Sequence, residues 1–172
     1  KKSVLIILMF TAIIIAQDLF KLSQREFLDN PNGKQFTRGE YLIILGGENL
    51  ESSLQSAGGN FIEFKNSQGY DVEIINYLDI ANNQNELRDY LQSYFESHPL
   101  LEYVLLIGDV TGSYTIPTHV INSYNDADYP LDQTDYPYTF FSDDEMYNPQ
   151  FFIGRWSIQD QNELLAIVSR TI

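Results

Sequence analysis

Two apolar segments that each end in glycine constrain the fold of this chain more than any other feature. Residues 41–45 run without polar alternation into Gly46 and Gly47, and residues 103–107 run in the same way into Gly108. A continuous apolar run of this length is typical of a strand that is covered on both faces, as in a parallel sheet. Residues 71–77 are a further strand candidate between the two.

The segments between these strands have the pattern of helices. Residues 85–97 form an amphipathic helix, because their apolar side chains recur at spacings of three and four. Residues 50–67 are compatible with two short helical pieces that Gly58 and Gly59 separate. A final helix is expected after Ser157 as its cap, and short strands are expected over 138–141 and 151–153. Strands that alternate with helices at these lengths predict right-handed parallel crossovers and an α/β fold.

The first residues differ from the rest of the chain. Lys1 and Lys2 precede an apolar stretch that ends at Ala16. This order predicts a secretory signal over 1–16, and a buried helix or an uncleaved anchor is the alternative. Residues 17–40 read as a linker or an irregular segment, and 41–172 as the folded domain. Because the chain starts without Met and stops inside an apolar-periodic segment, we expect it to be part of a longer reading frame.

The composition excludes several classes of function. The chain has 24 acidic and 10 basic residues, with a formal net charge of -14, so it does not have the clustered cations of a nucleic-acid binder. It contains no cysteine, which excludes disulfides, thiolate metal sites and a thiol nucleophile within this chain. No stable membrane span is expected once the signal is removed.

Glycine and aspartate follow the predicted strands where parallel sheets bind ligands. Gly46-Gly47 lacks the spacing of a dinucleotide or phosphate loop and is interpreted as a tight strand-to-helix turn. Asp109 ends the strand over 103–107 and precedes a long polar loop with many carboxylates, in which no Lys or Arg occurs between Arg88 and Arg155. Ca²⁺ would relieve the repulsion among these groups, and a solvated acidic loop is the alternative.

The two histidines do not predict a catalytic site. His98 follows a helix and precedes Pro99, which suits a cap at the end of that helix. His119 lies in the long loop without a Ser and Asp in recognisable order, so no triad is assigned.

Several segments, taken in order, resemble the gingipain-type cysteine peptidases. They are Tyr103 to Asp109, Ile116-Pro117, Asp128-Tyr129, Phe152 to Arg155 and Ser169 to Ile172. The resemblance implies a caspase-like fold with a mostly parallel sheet and flanking helices, of which 41–172 is the first subdomain. It also implies an exported endopeptidase whose His and Cys lie in the second half, beyond residue 172, so no catalytic residue is assigned here.

The resemblance also implies a structural calcium site. The matching positions are Asp109, Asp144 and Tyr147, and Gln150 stands where the family has an acidic residue. A neutral amide oxygen there weakens the ligand set, although Asp143 or Glu145 could compensate.

The first interpretation is therefore a fragment of a secreted or cell-surface cysteine endopeptidase that acts on proteins or peptides. The alternative is a non-catalytic exported α/β domain that binds Ca²⁺ or a partner. A receiver or flavodoxin-like domain fits the sheet but not the predicted signal, and it lacks the acidic pair expected after the first strand. A His and a Cys downstream of Ile172 would favour the enzyme.

Overall fold

A four-stranded parallel sheet organises the folded part of the protein. The structure is a computed structural model that describes residues 38–56, 59–122, 131–142 and 147–172, so the predicted signal and residues 17–37 of the predicted linker lie outside it. The strands of this sheet are β1 (Glu40–Leu45), β4 (Asp71–Asn76), β5 (Leu101–Ile107) and β8 (Phe152–Trp156). They lie side by side in the order β4-β1-β5-β8, and each neighbouring pair is parallel. The predicted α/β class with a parallel sheet is confirmed.

The central strand β1 is buried on both faces. Leu42 and Ile44 lie in one apolar core, and Ile43 and Leu45 lie in the other. All four side chains are fully buried. This two-sided burial is the reason for the continuous apolar sequence, because alternate residues of a strand point to opposite faces.

Helices cover both faces of the sheet. On one face α3 (Tyr77–Ile80) and α4 (Gln84–Ser97) pack through Tyr77, Leu87, Leu91 and Tyr94. The other face is covered by a 3-10 helix (Glu48–Leu50) and by α1 (Glu51–Leu54), α2 (Phe61–Ser67) and α5 (Gln161–Thr171). The short antiparallel pair β2 (Gln55–Ser56) and β3 (Gly59–Asn60) separates α1 from α2. The predicted break between two helical pieces is therefore confirmed.

Side-chain caps set where the two longest helices begin. Asn83 accepts hydrogen bonds from the backbone N–H groups of Asn85 and Glu86 at the start of α4. Asp160 does the same for α5, so the predicted cap at Ser157 is wrong by three residues. A carboxylate at this position also interacts favourably with the helix dipole. His98 ends α4, as predicted, and its ring stacks on Tyr94.

The segment between β5 and β8 is more ordered than the sequence predicts. The predicted long loop contains an antiparallel ribbon of β6 (His119–Asn122) and β7 (Leu131–Thr134). A 3-10 helix (Tyr136–Thr139) overlaps the first half of the strand predicted over 138–141. Pro137 lies in the first turn of this helix, where the N–H group that proline lacks would have no partner within the helix. None of the described helices is long and apolar enough to span a membrane.

Candidate functional site

The carboxyl ends of β1 and β5 form the switch point of the sheet. The chain leaves β1 towards β4 on one side and leaves β5 towards β8 on the other. In open α/β sheets ligands bind in the crevice that such a reversal creates. The residues that follow these two strands are Gly46 and Gly47 after β1, and Gly108 and Asp109 after β5.

Tyr114 fills this crevice in the structure. A Cβ atom on Gly46 would come within 2.7 Å of the Tyr114 carbonyl oxygen, and one on Gly47 would come within 3.0 Å of the Tyr114 ring. The phenolic oxygen of Tyr114 accepts a hydrogen bond from Asn49 Nδ2 at 2.7 Å. Gly46 thus gives room to the backbone of Tyr114, and Gly47 gives room to its ring. Only these two residues separate β1 from the 3-10 helix at Glu48, so the interpretation of Gly46-Gly47 as a tight strand-to-helix turn is confirmed.

Asp109 is held in a hydrogen-bonded turn directly after β5. Its N–H donates to Tyr114 O at 3.0 Å and its carbonyl oxygen accepts from Ile116 N–H at 2.8 Å. The carboxylate accepts from Val110 N–H at 2.7 Å through Oδ1 and from the Gln159 side-chain amide through Oδ2. Both carboxylate oxygens therefore have a partner within the protein.

The predicted calcium ligands are only partly within the described residues. Tyr147 is 89% exposed and lies five positions before the first residue of β8, whereas Asp109 follows the end of β5. Asp144 lies outside the described residues. Among the residues that the structure describes, no three His, Cys, Asp or Glu side chains are grouped as a metal site would require. The described part of the chain thus contributes one carboxylate, and coordination by Asp109, Asp144 and Tyr147 stays a prediction.

Arg155 makes hydrogen bonds to several segments at the carboxyl edge of the sheet. It projects from β8, and its side chain is 10% exposed. Nε and Nη2 donate to the two carboxylate oxygens of Asp135, each at 2.7 Å. Nη1 donates to Gly108 O at 3.2 Å and Ile116 O at 2.9 Å, and Nη2 donates to Pro117 O at 3.3 Å. All five N–H groups of the guanidinium are therefore used.

The ion pair of Arg155 with Asp135 changes the expectation that the acidic loop has no counter-charge. The acidic loop was predicted to lack a local counter-charge, because no basic residue occurs between Arg88 and Arg155. Arg155 itself neutralises Asp135, which also accepts a hydrogen bond from Thr118 Oγ1 at 2.9 Å. In the sequence, Gly154-Arg155 was identified only as part of the family resemblance. None of the 66 residues before Arg155 is Lys or Arg, and this pattern could have identified Arg155 as the partner of a carboxylate in the loop.

His119 lies at the base of the ribbon and contacts Tyr138. The two rings meet edge to face with centroids 4.8 Å apart. The Nε2 atom of His119 is buried and has no hydrogen-bond partner among the described residues. Burial, and then the nearby charge of Arg88, lower the pKa of His119, while Asp135 opposes this shift. The contact with fully buried Tyr138 makes His119 part of the packing of this segment.

Comparisons with known proteins agree with the resemblance. The model of peptidase family C25 matches residues 34–172. The chain is 25% identical to a structure of the complex of the pro- and mature domains of RgpB from Porphyromonas gingivalis, with a TM-score of 0.61. It is 23% identical to the Arg-specific cysteine proteinase gingipain R, also with a TM-score of 0.61.

Both alignments cover 78% of this chain and 28% of the other chain, so this chain spans little more than a quarter of these relatives. No curated protein sequence matches significantly. Together with the parallel sheet and its flanking helices, the structural similarity confirms the predicted caspase-like fold.

Proposed function

Since this chain belongs to peptidase family C25, we propose that it is the first part of the catalytic domain of an exported cysteine endopeptidase. The family match over residues 34–172 is the observation that carries the proposal. The residues that the family model matches include the whole parallel sheet and both layers of helices, and the structural similarity to RgpB supports the proposal. Protein or peptide substrates follow from this assignment, and nucleic acid does not.

The proposed chemistry depends on residues beyond Ile172. In the complete protein a cysteine thiolate attacks the peptide carbonyl, and a histidine transfers the proton to the leaving amine. The 172-residue chain has no cysteine and cannot supply that nucleophile. Its contribution is the scaffold, since ligand sites of parallel sheets lie beyond the carboxyl ends of the strands and Arg155 holds this edge together.

Export and calcium are further parts of the proposal. Residues 1–16 are proposed as the signal that directs the protein to the cell surface or out of the cell. Ca²⁺ is proposed only as a structural ion near Asp109 and Asp144, and it has no part in the chemistry.

The decisive experiment begins with the coding DNA beyond Ile172. We expect a continuation that contains a His and a Cys, each directly after a predicted strand. The complete protein should then hydrolyse casein, and substitution of that Cys by Ala should abolish hydrolysis while the protein stays folded by circular dichroism. A continuation without this pair, or hydrolysis that survives the Cys substitution, would contradict the proposal and favour a non-catalytic binding domain.

A further inference from the structure

The ribbon of β6 and β7 joins the rest of the protein at its base. His119 and Thr134 pair with each other there and are partly buried. Every other residue of the two strands is exposed. The ribbon therefore presents both of its faces to solvent.

Three large apolar side chains lie on this exposed ribbon. Val120 is 56% exposed, Ile121 46% and Leu131 60%. The register pairs Asn122 with Leu131 and Val120 with Gln133, which places Val120 and Leu131 on one face and Ile121 on the other. An isolated two-stranded ribbon is at best marginally stable in water, and exposed apolar side chains make it less so. This arrangement is typical of a surface that a partner covers.

The outer edges of the ribbon pair with no other strand among the described residues. Within the described part of the chain, β6 pairs with β7 and with no other strand. The outer edge of each strand thus presents backbone N–H and C=O groups that another extended chain can pair with. Recognition by strand addition combines such backbone bonds with side-chain contacts at alternate positions.

The base of the ribbon is connected to the candidate site. Thr118 directly precedes β6, Asp135 directly follows β7, and the two side chains are hydrogen bonded. Asp135 is in turn paired with Arg155, which also binds the carbonyl of Gly108 at the end of β5. The ribbon is therefore anchored at the carboxyl edge of the sheet, where parallel sheets hold their ligands.

The negative charge on the β6–β7 ribbon favours polypeptide partners with cationic side chains. Asp132 lies on the ribbon and is exposed. Near its base, Arg88 donates to the Phe140 carbonyl and Arg155 pairs with Asp135, so Asp132 is the exposed charge on the described residues of the ribbon itself. A partner with cationic side chains is attracted to such a surface, and an acidic partner is repelled.

We propose that the β6–β7 ribbon is a docking surface for the polypeptide substrate, which adds to it as an extended strand. Apolar side chains of the substrate cover Val120 and Leu131, and cationic side chains at the alternate positions face Asp132 on the other face of the ribbon. This inference rests on the proposed peptidase function and assigns to the ribbon a binding role outside the chemistry.

Peptide binding tests the proposal without any need for catalysis. The probe is a fluorescein-labelled peptide of ten residues in which valine and lysine alternate, and fluorescence anisotropy with the full chain measures its binding. We expect saturable binding that the double variant Val120→Ser/Leu131→Ser weakens at least tenfold. The matched control is Leu78→Ser, because Leu78 on α3 is 73% exposed and lies outside the ribbon. This control should bind the peptide as the unchanged protein does.

Two further peptides test the mode of binding on the unchanged protein. A peptide with glutamate in place of lysine should bind at least tenfold more weakly. A lysine peptide that is N-methylated at every amide should not bind, because neither of its edges can donate a hydrogen bond to the ribbon. Equal binding of the methylated peptide, or equal affinity of the double variant, would overturn the proposal.

Further measurements distinguish the docking of substrate from self-association of the chain and from the proposed peptidase function. Sedimentation that shows a dimer, and its loss in the Val120→Ser/Leu131→Ser variant, would assign the ribbon to a second copy of the chain and overturn the docking of substrate. If the complete protein hydrolyses casein but does not bind the lysine peptide through the ribbon, the docking proposal fails and the proposed function stands. Ribbon binding in a protein whose continuation lacks Cys and His would overturn the proposed function instead.

Discussion

Arg155 and Asp135 form a two-point ion pair in which both nitrogen–oxygen distances are 2.7 Å. The side chains are 10% and 19% exposed, respectively, so both charges are largely removed from water. The pair joins β8 to the residue that follows the β6–β7 ribbon. The same guanidinium also binds the carbonyls of Gly108 and Ile116. One side chain therefore links β8 to the residue after β7 and to the segment that connects β5 with β6.

Removing the carboxylate of this pair should be costly. Asp135→Asn leaves the Arg155 guanidinium buried without a counter-charge, which lowers the free energy of unfolding by about 3–5 kcal/mol. Urea denaturation followed by Trp156 fluorescence measures the loss. The matched control is Glu102→Gln, since the Arg38–Glu102 pair has side chains 44% and 31% exposed. The control should change the free energy of unfolding little. An equal loss in both variants would contradict the argument that burial makes the Arg155–Asp135 pair costly to break.

Two glycines, one directly after β5 and one inside the neighbouring strand β8, should respond differently to alanine. Gly108 has a φ of 153°, and a Cβ there would overlap the carbonyl oxygen of Tyr114. Gly108→Ala should therefore destabilise the protein by about 1–3 kcal/mol or more. Gly154→Ala is the control, because a Cβ at that position has no neighbour within 4 Å. Thermal denaturation should show little change for Gly154→Ala, and a similar loss at both positions would contradict this account.

The stability of the protein should fall in mild acid because of His119. Burial and Arg88 lower the pKa of His119 in the folded state, although Asp135 acts in the opposite direction. Below the ordinary histidine pKa of about 6.5, the unfolded chain therefore binds more protons than the folded protein. The contribution of the neutral imidazole is present above that pH and is lost as the pH falls below it.

Urea denaturation of the unchanged protein and of His119→Phe at pH 5 and pH 8 measures this contribution. The variant keeps an aromatic ring against Tyr138 and should lose less stability on acidification than the unchanged protein. Identical pH dependence of the two proteins would show that His119 is not the group responsible.

The proposed calcium ion can be tested at Asp109. If Asp109 is a ligand, the melting temperature of the unchanged protein is higher in calcium than in EGTA, and Asp109→Asn removes most of this difference. Asp132→Asn is the control, because Asp132 lies on the exposed ribbon and is not a predicted ligand. A calcium effect of the same size in Asp109→Asn and in the unchanged protein would exclude Asp109 as a ligand.

The sequence predicted the sheet better than the segment that follows β5. Residues 41–45 and 103–107 were identified as strands with nearly the observed bounds, because two-sided burial leaves a local signal. The ribbon was missed because β7 is Leu131–Thr134, of which three residues are polar and all but Thr134 are exposed. A strand without a buried face has no hydrophobic periodicity to detect.

The sequence by itself determined the α/β class, the parallel sheet and the family resemblance. These follow from patterns within short segments, namely continuous apolar strands and amphipathic helices. Only the tertiary structure decided that Tyr114 fills the crevice between β1 and β5, and that Arg155 neutralises Asp135. Both relationships depend on the path of residues 108–122 and 131–142 at the edge of the sheet. A hydrogen bond depends on distance and direction in space, so residues 20 or 65 positions apart become partners without leaving a local pattern.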